Sequence, residues 1–235
     1  MALFMLVYGI SCLFIPHSKE RALQLRKNYL KYWAIPVLNI HIEVEGTPSK
    51  IPSLYVSNHR SFADPIVVCR YLDAFVIAKA EVADYPIINK GAELTGVVWV
   101  NRSNKDSRAA TRYKMVEIIK LGYNVLVFPE GTVGIEKNTL PFHKGTFIEA
   151  AEHNFPLIPI TIEYKSKKDL WVIPNLLLQY AYQFAKWKTV VSLKFGAPIQ
   201  STDGESMQEY AYQWINQSLH DMHQKWEHHF ATISQ

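Results

Sequence analysis

The alternation of apolar and polar positions divides the chain into short strand-like runs separated by helical stretches. NIHIEVEG (39–46) alternates residue by residue, as a half-buried strand does, and SLYVSN (53–58) is a more continuously apolar run. AFVIAKAEV, GVVWVNR (96–102), NVLVFPEG (124–131), PLIPITIEY and VVSLKFG read as further strands. Helical patterns follow Asp64 through IVVCRYLDAF, cover SRAATRYKMVEIIKLG (107–122) with Gly122 closing it, and cover GTFIEAAEHN (145–154). A last amphipathic helix carries Tyr210, Trp214, Leu219, Met222 and Trp226 on its apolar positions. Helices alternating with near-continuously apolar strands predict an α/β fold: a mixed, largely parallel sheet flanked by helices. At 235 residues, with no internal repeat and no Gly/Ser-rich linker, one domain over 34–235 is expected, preceded by a distinct segment at 1–33.

That first segment changes the picture. MALFMLVYGISCLFIP places fifteen residues without side-chain charge before Pro16. A bilayer core takes about 20 apolar residues in a helix, so the run suits an inserted or interfacial helix. It lacks both the basic region and the small-residue cleavage site of a signal peptide, which makes it a retained anchor. HSKERALQLRKNYLKYW (17–33) then holds five Lys or Arg against one Glu, within a chain whose formal net charge is only +4. Next to an apolar anchor, such a helix fits an anionic lipid surface better than nucleic acid, with Leu23, Leu25, Tyr29, Leu30 and Trp33 in the head-group region. The alternative is a pair of helices packed on the protein's own core.

Cysteine and histidine usage narrows the chemistry. Cys12 and Cys69 form neither a disulfide framework nor a zinc spacing, in keeping with a reducing cytosolic face; the expected location is the cytosolic side of the inner membrane. His220, His223, His228 and His229 lie in the last amphipathic helix with no closing Cys or carboxylate pattern, so no metal site is expected.

Polar clusters sit at the strand ends: SNHR, VNRSNK and FPEGT. In an α/β sheet the loops past the carboxyl ends of the strands share a rim, so three such loops can meet at one site. A phosphate loop fails at Gly91-Ala-Glu-Leu-Thr-Gly96, where Val97-Val98 replace the required Lys-Ser/Thr, and no Gly-x-Ser-x-Gly elbow occurs. His59 and Asp64 stand five apart, about 500° around a helix, so a regular helix cannot pair them. They can meet only if His59 lies in a turn and Asp64 begins the next helix. Asp64 before Pro65 is also suited to be simply that helix's N-cap.

Asn58-His59-Arg60-Ser61-Phe62-Ala63-Asp64 matches the NH-x₄-D signature of glycerolipid acyltransferases, the lysophosphatidate acyltransferase (PlsC-like) family. Gly96–Arg102 resembles that family's second motif, Phe128-Pro-Glu-Gly-Thr132 its third and Phe155-Pro-Leu-Ile-Pro159 its fourth, in the family's order. The resemblance implies a membrane-bound acyltransferase domain behind an anchor of residues 1–33. It implies His59 as general base, Asp64 as its orienting carboxylate, and acyl transfer from acyl carrier protein or coenzyme A thioester to a lysolipid hydroxyl without a cofactor. Asn58, Arg102, Glu130, Gly131, Thr132 and Lys144 are the implied acceptor-binding residues, the two cations supplying charge recognition. The chemistry suits the dyad, because an alcohol must lose its proton to attack a thioester and neutral imidazole accepts one near pH 7. One position departs from the pattern: Val133 stands where many family members continue the third motif with a phosphate-holding Arg. Lysophosphatidate is the expected acceptor, with a lyso-amino-acid lipid such as lyso-ornithine or glycine lipid, or another lysophospholipid, as the alternative. A lipid-binding homologue without catalysis is the competing class.

Overall fold

The computed structural model describes residues 18–79, 96–100 and 105–233. Residues 1–17, most of the expected anchor, and Arg102 therefore lie outside the described residues. The elements begin with α1 (Lys19–Tyr29), prolonged by a π-helical stretch at Leu30–Ala34 and a short turn of helix at Ile35–Val37. They continue with β1 (Ile40–Glu45), β2 (Leu54–Ser57), α2 (Asp64–Cys69), β3 (Ala74–Lys79), β4 (Val97–Val100), α3 (Lys105–Lys120) and β5 (Asn124–Val127). Next come α4 (Gly145–Glu152), β6 (Leu157–Tyr164), α5 (Leu176–Phe184), β7 (Thr189–Phe195) and α6 (Gly204–Ile233).

The strands form a sheet of order β1-β7-β6-β2-β5-β3-β4. β6, β2, β5, β3 and β4 are parallel, β7 is antiparallel to β6, and β1 is parallel to β7. The expected mixed, largely parallel sheet is thus found. All of β2 and β6 is buried, as strands covered on both faces must be, and this explains their unbroken apolar sequences. Successive side chains feed opposite cores. Leu54, Val56, Val125 and Val127 meet Met115, Ile118, Phe147, Ile215 and Leu219 of α3, α4 and α6. Tyr55, Leu126, Ile158 and Ile160 face Val67 and Val68 of α2 and Leu30 of the π-helical stretch.

Two expectations are modified. α2 ends at Cys69 rather than running through IVVCRYLDAF, because Ala74 already begins a strand paired to Asn124. The basic helix is docked on the sheet: Ala22, Arg26, Leu30 and Ala34, spaced four apart, are buried on one face, and Arg26 donates to the Ala74 carbonyl at 2.5 Å. Of the apolar residues expected among lipid head groups, Leu23 and Leu30 are instead buried in the protein's own cores, and Tyr29 packs against one of them. Trp33 is exposed, together with its neighbour Tyr32 and with Val37. No helix among the described residues is long and apolar enough to cross a membrane.

Candidate active site

β2, β5 and β6 are parallel neighbours, so their carboxyl ends open on one rim. At the end of β2 the chain has to turn before α2, and Asn58 completes the strand ladder with its side chain. Its amide donates to the Ile162 carbonyl at 2.8 Å and accepts the Ile162 N–H at 2.9 Å, fully buried. Both of its side-chain hydrogen-bonding groups are thereby engaged with β6.

The turn that follows brings the dyad together. His59 Nδ1 lies 2.8 Å from Asp64 Oδ2. The same oxygen accepts the backbone N–H groups of Arg60 (2.6 Å) and Ser61 (2.9 Å), and Oδ1 accepts the Tyr164 hydroxyl at 2.8 Å. Four donors thus converge on one fully buried carboxylate. Asp64 is not the N-cap expected from its sequence context: Ala63 occupies that position, Asp64 is the first helical residue, and its carboxylate reaches back to cap the preceding turn. With Oδ2 as the acceptor of this contact, the imidazole proton is assigned to Nδ1, and Nε2 is left as the nitrogen that faces outward to take a proton. The imidazole remains partly exposed while its partner is not, as a base that must meet a substrate requires.

The FPEGT loop clasps this residue from the other side. The Phe128 ring stacks on the imidazole with centroids 4.3 Å apart. The Gly131 N–H closes a tight turn on the Phe128 carbonyl (3.1 Å), and the chain leaves that turn at 131 with a positive φ of 73°, which glycine adopts without strain. Glu130 Oε1 accepts the His59 N–H at 2.7 Å and Oε2 accepts the Leu140 N–H at 2.9 Å, while the Gly134 N–H donates to the His59 carbonyl at 2.8 Å. Glu130 is therefore a bracket between two loops. Burial raises its pKa, and the backbone donors only partly oppose that. Thr132 is exposed beside the bracket. Lys144 pairs with Glu205 at 2.6 Å on the surface, and among the described residues no recorded contact joins it to the dyad.

Two contributors were not singled out by the sequence reading. The Arg60 guanidinium, almost wholly buried, donates to the carbonyls of Gly134 (3.0 Å), Glu136 (2.5 Å) and Lys137 (3.1 Å) and pairs with Glu163 at 3.0 Å. Glu163 also meets His223 at 3.1 Å, which gives that histidine a structural partner. Tyr164 is the other: burial and the adjacent Asp64 carboxylate push its pKa well above that of an ordinary tyrosine, so it stays a hydroxyl donor. Neither role is visible locally, since Glu163 and Tyr164 lie about 100 residues from the turn they hold. Ser57 and Ser61 are buried with their hydroxyls donating to the Asn58 carbonyl and to Gln183 Oε1, and Cys69 is buried in a core. None of these three is a nucleophile presented to His59.

A His-Asp pair on a loop rim of a largely parallel α/β sheet, with its imidazole partly exposed, is an arrangement suited to general-base chemistry. The family comparison agrees: the acyltransferase family model matches residues 39–163, and the chain belongs to that family. Among curated relatives, chloroplastic 1-acyl-sn-glycerol-3-phosphate acyltransferase LPAT1 of Arabidopsis thaliana is 32% identical over 153 residues, 64% of this chain and 43% of the relative. Lyso-ornithine lipid O-acyltransferase of Pseudomonas aeruginosa is 28% identical over 144 residues, 60% of this chain and 55% of the relative. The match thus spans about half the length of these two relatives. The crystal structure of the 1-acyl-sn-glycerophosphate acyltransferase PlsC from Thermotoga maritima shares the fold, with TM-score 0.70 and 21% identity over 92% of this chain and 88% of that one.

Proposed function

We propose that this chain transfers a fatty acyl group from an acyl carrier protein or coenzyme A thioester to the hydroxyl of a lysolipid. The observation that carries the proposal is the 2.8 Å contact between His59 Nδ1 and a buried Asp64 held by three further donors. In the step envisaged, Nε2 takes the acceptor's hydroxyl proton as its oxygen attacks the thioester carbonyl. The tetrahedral intermediate collapses with C–S cleavage, and the imidazolium returns the proton to the departing thiolate. Asp64 fixes the tautomer and stabilises the transient imidazolium. Glu130, Asn58 and Arg60 act by holding the turn; Gly131, Thr132 and Arg102 are the acceptor-facing candidates, with Lys144 a more distant cation.

Lysophosphatidate is the leading acceptor, giving phosphatidate for phospholipid synthesis. A lyso-amino-acid lipid is the second reading, favoured by Val133 in place of the phosphate-holding Arg and by relatives that carry both names. Within the 1–33 segment, the apolar run before Pro16 is proposed to hold the protein at the cytosolic face of the membrane, the basic helix after it being docked on the domain itself. The test is competition: purified full-length protein and one thioester donor are given lysophosphatidate, lysophosphatidylethanolamine and lyso-ornithine lipid together. Highest kcat/KM on lysophosphatidate is expected. Preference for the ornithine lipid, with Val133→Arg moving selectivity toward the phosphate, would replace the leading acceptor by the second.

A further inference from the structure

β6 ends and β7 begins at the rim that carries the dyad, because the two strands are antiparallel with Tyr164 opposite Val191. The whole connection between them, residues 165–188, therefore stands at the catalytic end of the sheet. The start of β1 joins it there, with Ile40 beside Thr189 and the Asn39 amide donating to the Trp187 carbonyl. This connection is fastened to the catalytic turn on its inner side. Ser61 Oγ donates to Gln183 at 2.9 Å, the Trp171 N–H donates to the Arg60 carbonyl at 2.9 Å, and Phe62 packs between Trp171 and Tyr180.

Its outer side has the opposite character. Trp187 is 90% exposed, Val37 75%, Leu178 60% and Val172 50%, with Tyr182 also exposed one helical turn after Leu178. The same connection is rich in cations. Residues 165–188 contain five Lys and one acidic residue, Asp169. Asp169 is buried and paired with Lys186, so its charge is answered inside, while Lys167, Lys168 and Lys188 are exposed. Large apolar and aromatic side chains on the same connection as exposed lysines match a lipid head-group layer with anionic charge.

We propose that the outer surface of the β6–β7 connection, centred on Leu178, Tyr182 and Trp187 and continued by Val37, docks on an anionic bilayer. It would be a second membrane contact beside the N-terminal segment, and it would set the catalytic turn facing the lipid layer. The proposal rests on the lysolipid reading only for its purpose; the surface is testable without it.

The experiment uses full-length protein and a Leu178→Ser/Trp187→Ser variant, neither position belonging to the catalytic turn. Sedimentation is measured with phosphatidylcholine vesicles and with vesicles containing about one third phosphatidylglycerol, at low and high salt. The variant is expected to lose about tenfold in partition to the anionic vesicles, and wild-type binding to weaken as salt rises. Acylation of vesicle-embedded lysolipid should fall in parallel, while turnover of detergent-dispersed lysolipid stays within about twofold, since uniform loss of surface binding leaves the chemical step alone. Unchanged partition and unchanged vesicle turnover would overturn the assignment. So would unchanged partition with loss of acyl carrier protein binding, which would give the surface to a protein partner. Repeating the partition with His59→Ala separates the two ideas: the same sensitivity to Leu178 and Trp187 in a protein whose base is gone supports the surface independently of turnover, whereas the lysolipid reading falls if the wild-type protein acylates no lysolipid in vesicles or in detergent.

Discussion

The two ends of the β6 rim differ in how they are held. Around residues 58–64 almost every polar group is matched by a partner from another element: Asn58 by β6, Asp64 by Tyr164, His59 by Glu130, Arg60 by the 134–137 loop and Glu163. In the β6–β7 connection the inner side is bonded to that turn, but the outer side leaves Leu178 and Trp187 largely exposed. The contrast separates a preorganised site, where geometry is over-determined and any lost partner is felt in the chemistry, from a contact surface whose residues contribute little to the fold.

The sharpest way to break the contrast is at Asp64. Asp64→Asn keeps an oxygen for the Arg60 and Ser61 N–H groups but removes the charge facing His59, and kcat is expected to fall by about 10²- to 10⁴-fold with the fold retained. A kcat within a few-fold of wild type would mean that the carboxylate only caps the turn. Next in size is Arg60→Met. It takes from the buried Glu163 its guanidinium partner, leaving His223, and frees three carbonyls, with a loss of about 3–5 kcal/mol in urea denaturation. Stability within error of wild type would show that the guanidinium is dispensable to the bracket.

Tyr164→Phe sharpens the comparison at a single atom. The ring stays in the core while Oδ1 of Asp64 loses its donor, so kcat should drop about tenfold with KM unchanged. A purely structural tyrosine would lower thermal stability without that split. The smallest effect concerns Glu130. Burial raises its pKa in the folded state, so the folded protein holds this proton more tightly than the unfolded chain. Stability from this group is complete below the ordinary glutamate range and declines as pH rises through the raised value. Glu130→Gln, which cannot ionise, should flatten that part of the pH profile; an unchanged slope in paired urea titrations would contradict the buried bracket.

How much of this was legible in the sequence depends on how far apart the partners lie. His59 and Asp64 were readable because a turn-plus-helix start is local, and the order of strands and helices followed from their apolar periods. Glu130 and Asn58 were read as acceptor ligands, and the structure occupies them with backbone groups 71 and 104 residues away, a pairing no local pattern encodes. The docking of α1 was hidden by Arg26, a charged residue in the middle of a four-spaced buried stripe, whose guanidinium is received there by the Ala74 carbonyl. α5 was readable and passed over: Asn175, whose side chain accepts the Leu178 N–H, caps LLLQYAYQF in the manner of an ordinary helix start.

The central claim is that His59 is the base. The direct measurement is acyl transfer by purified full-length His59→Ala, with thermal unfolding and vesicle partition recorded on the same preparation. The dyad predicts loss of transfer by at least about 10²-fold with unfolding and partition close to wild type. Transfer at the wild-type rate by that folded variant would contradict it.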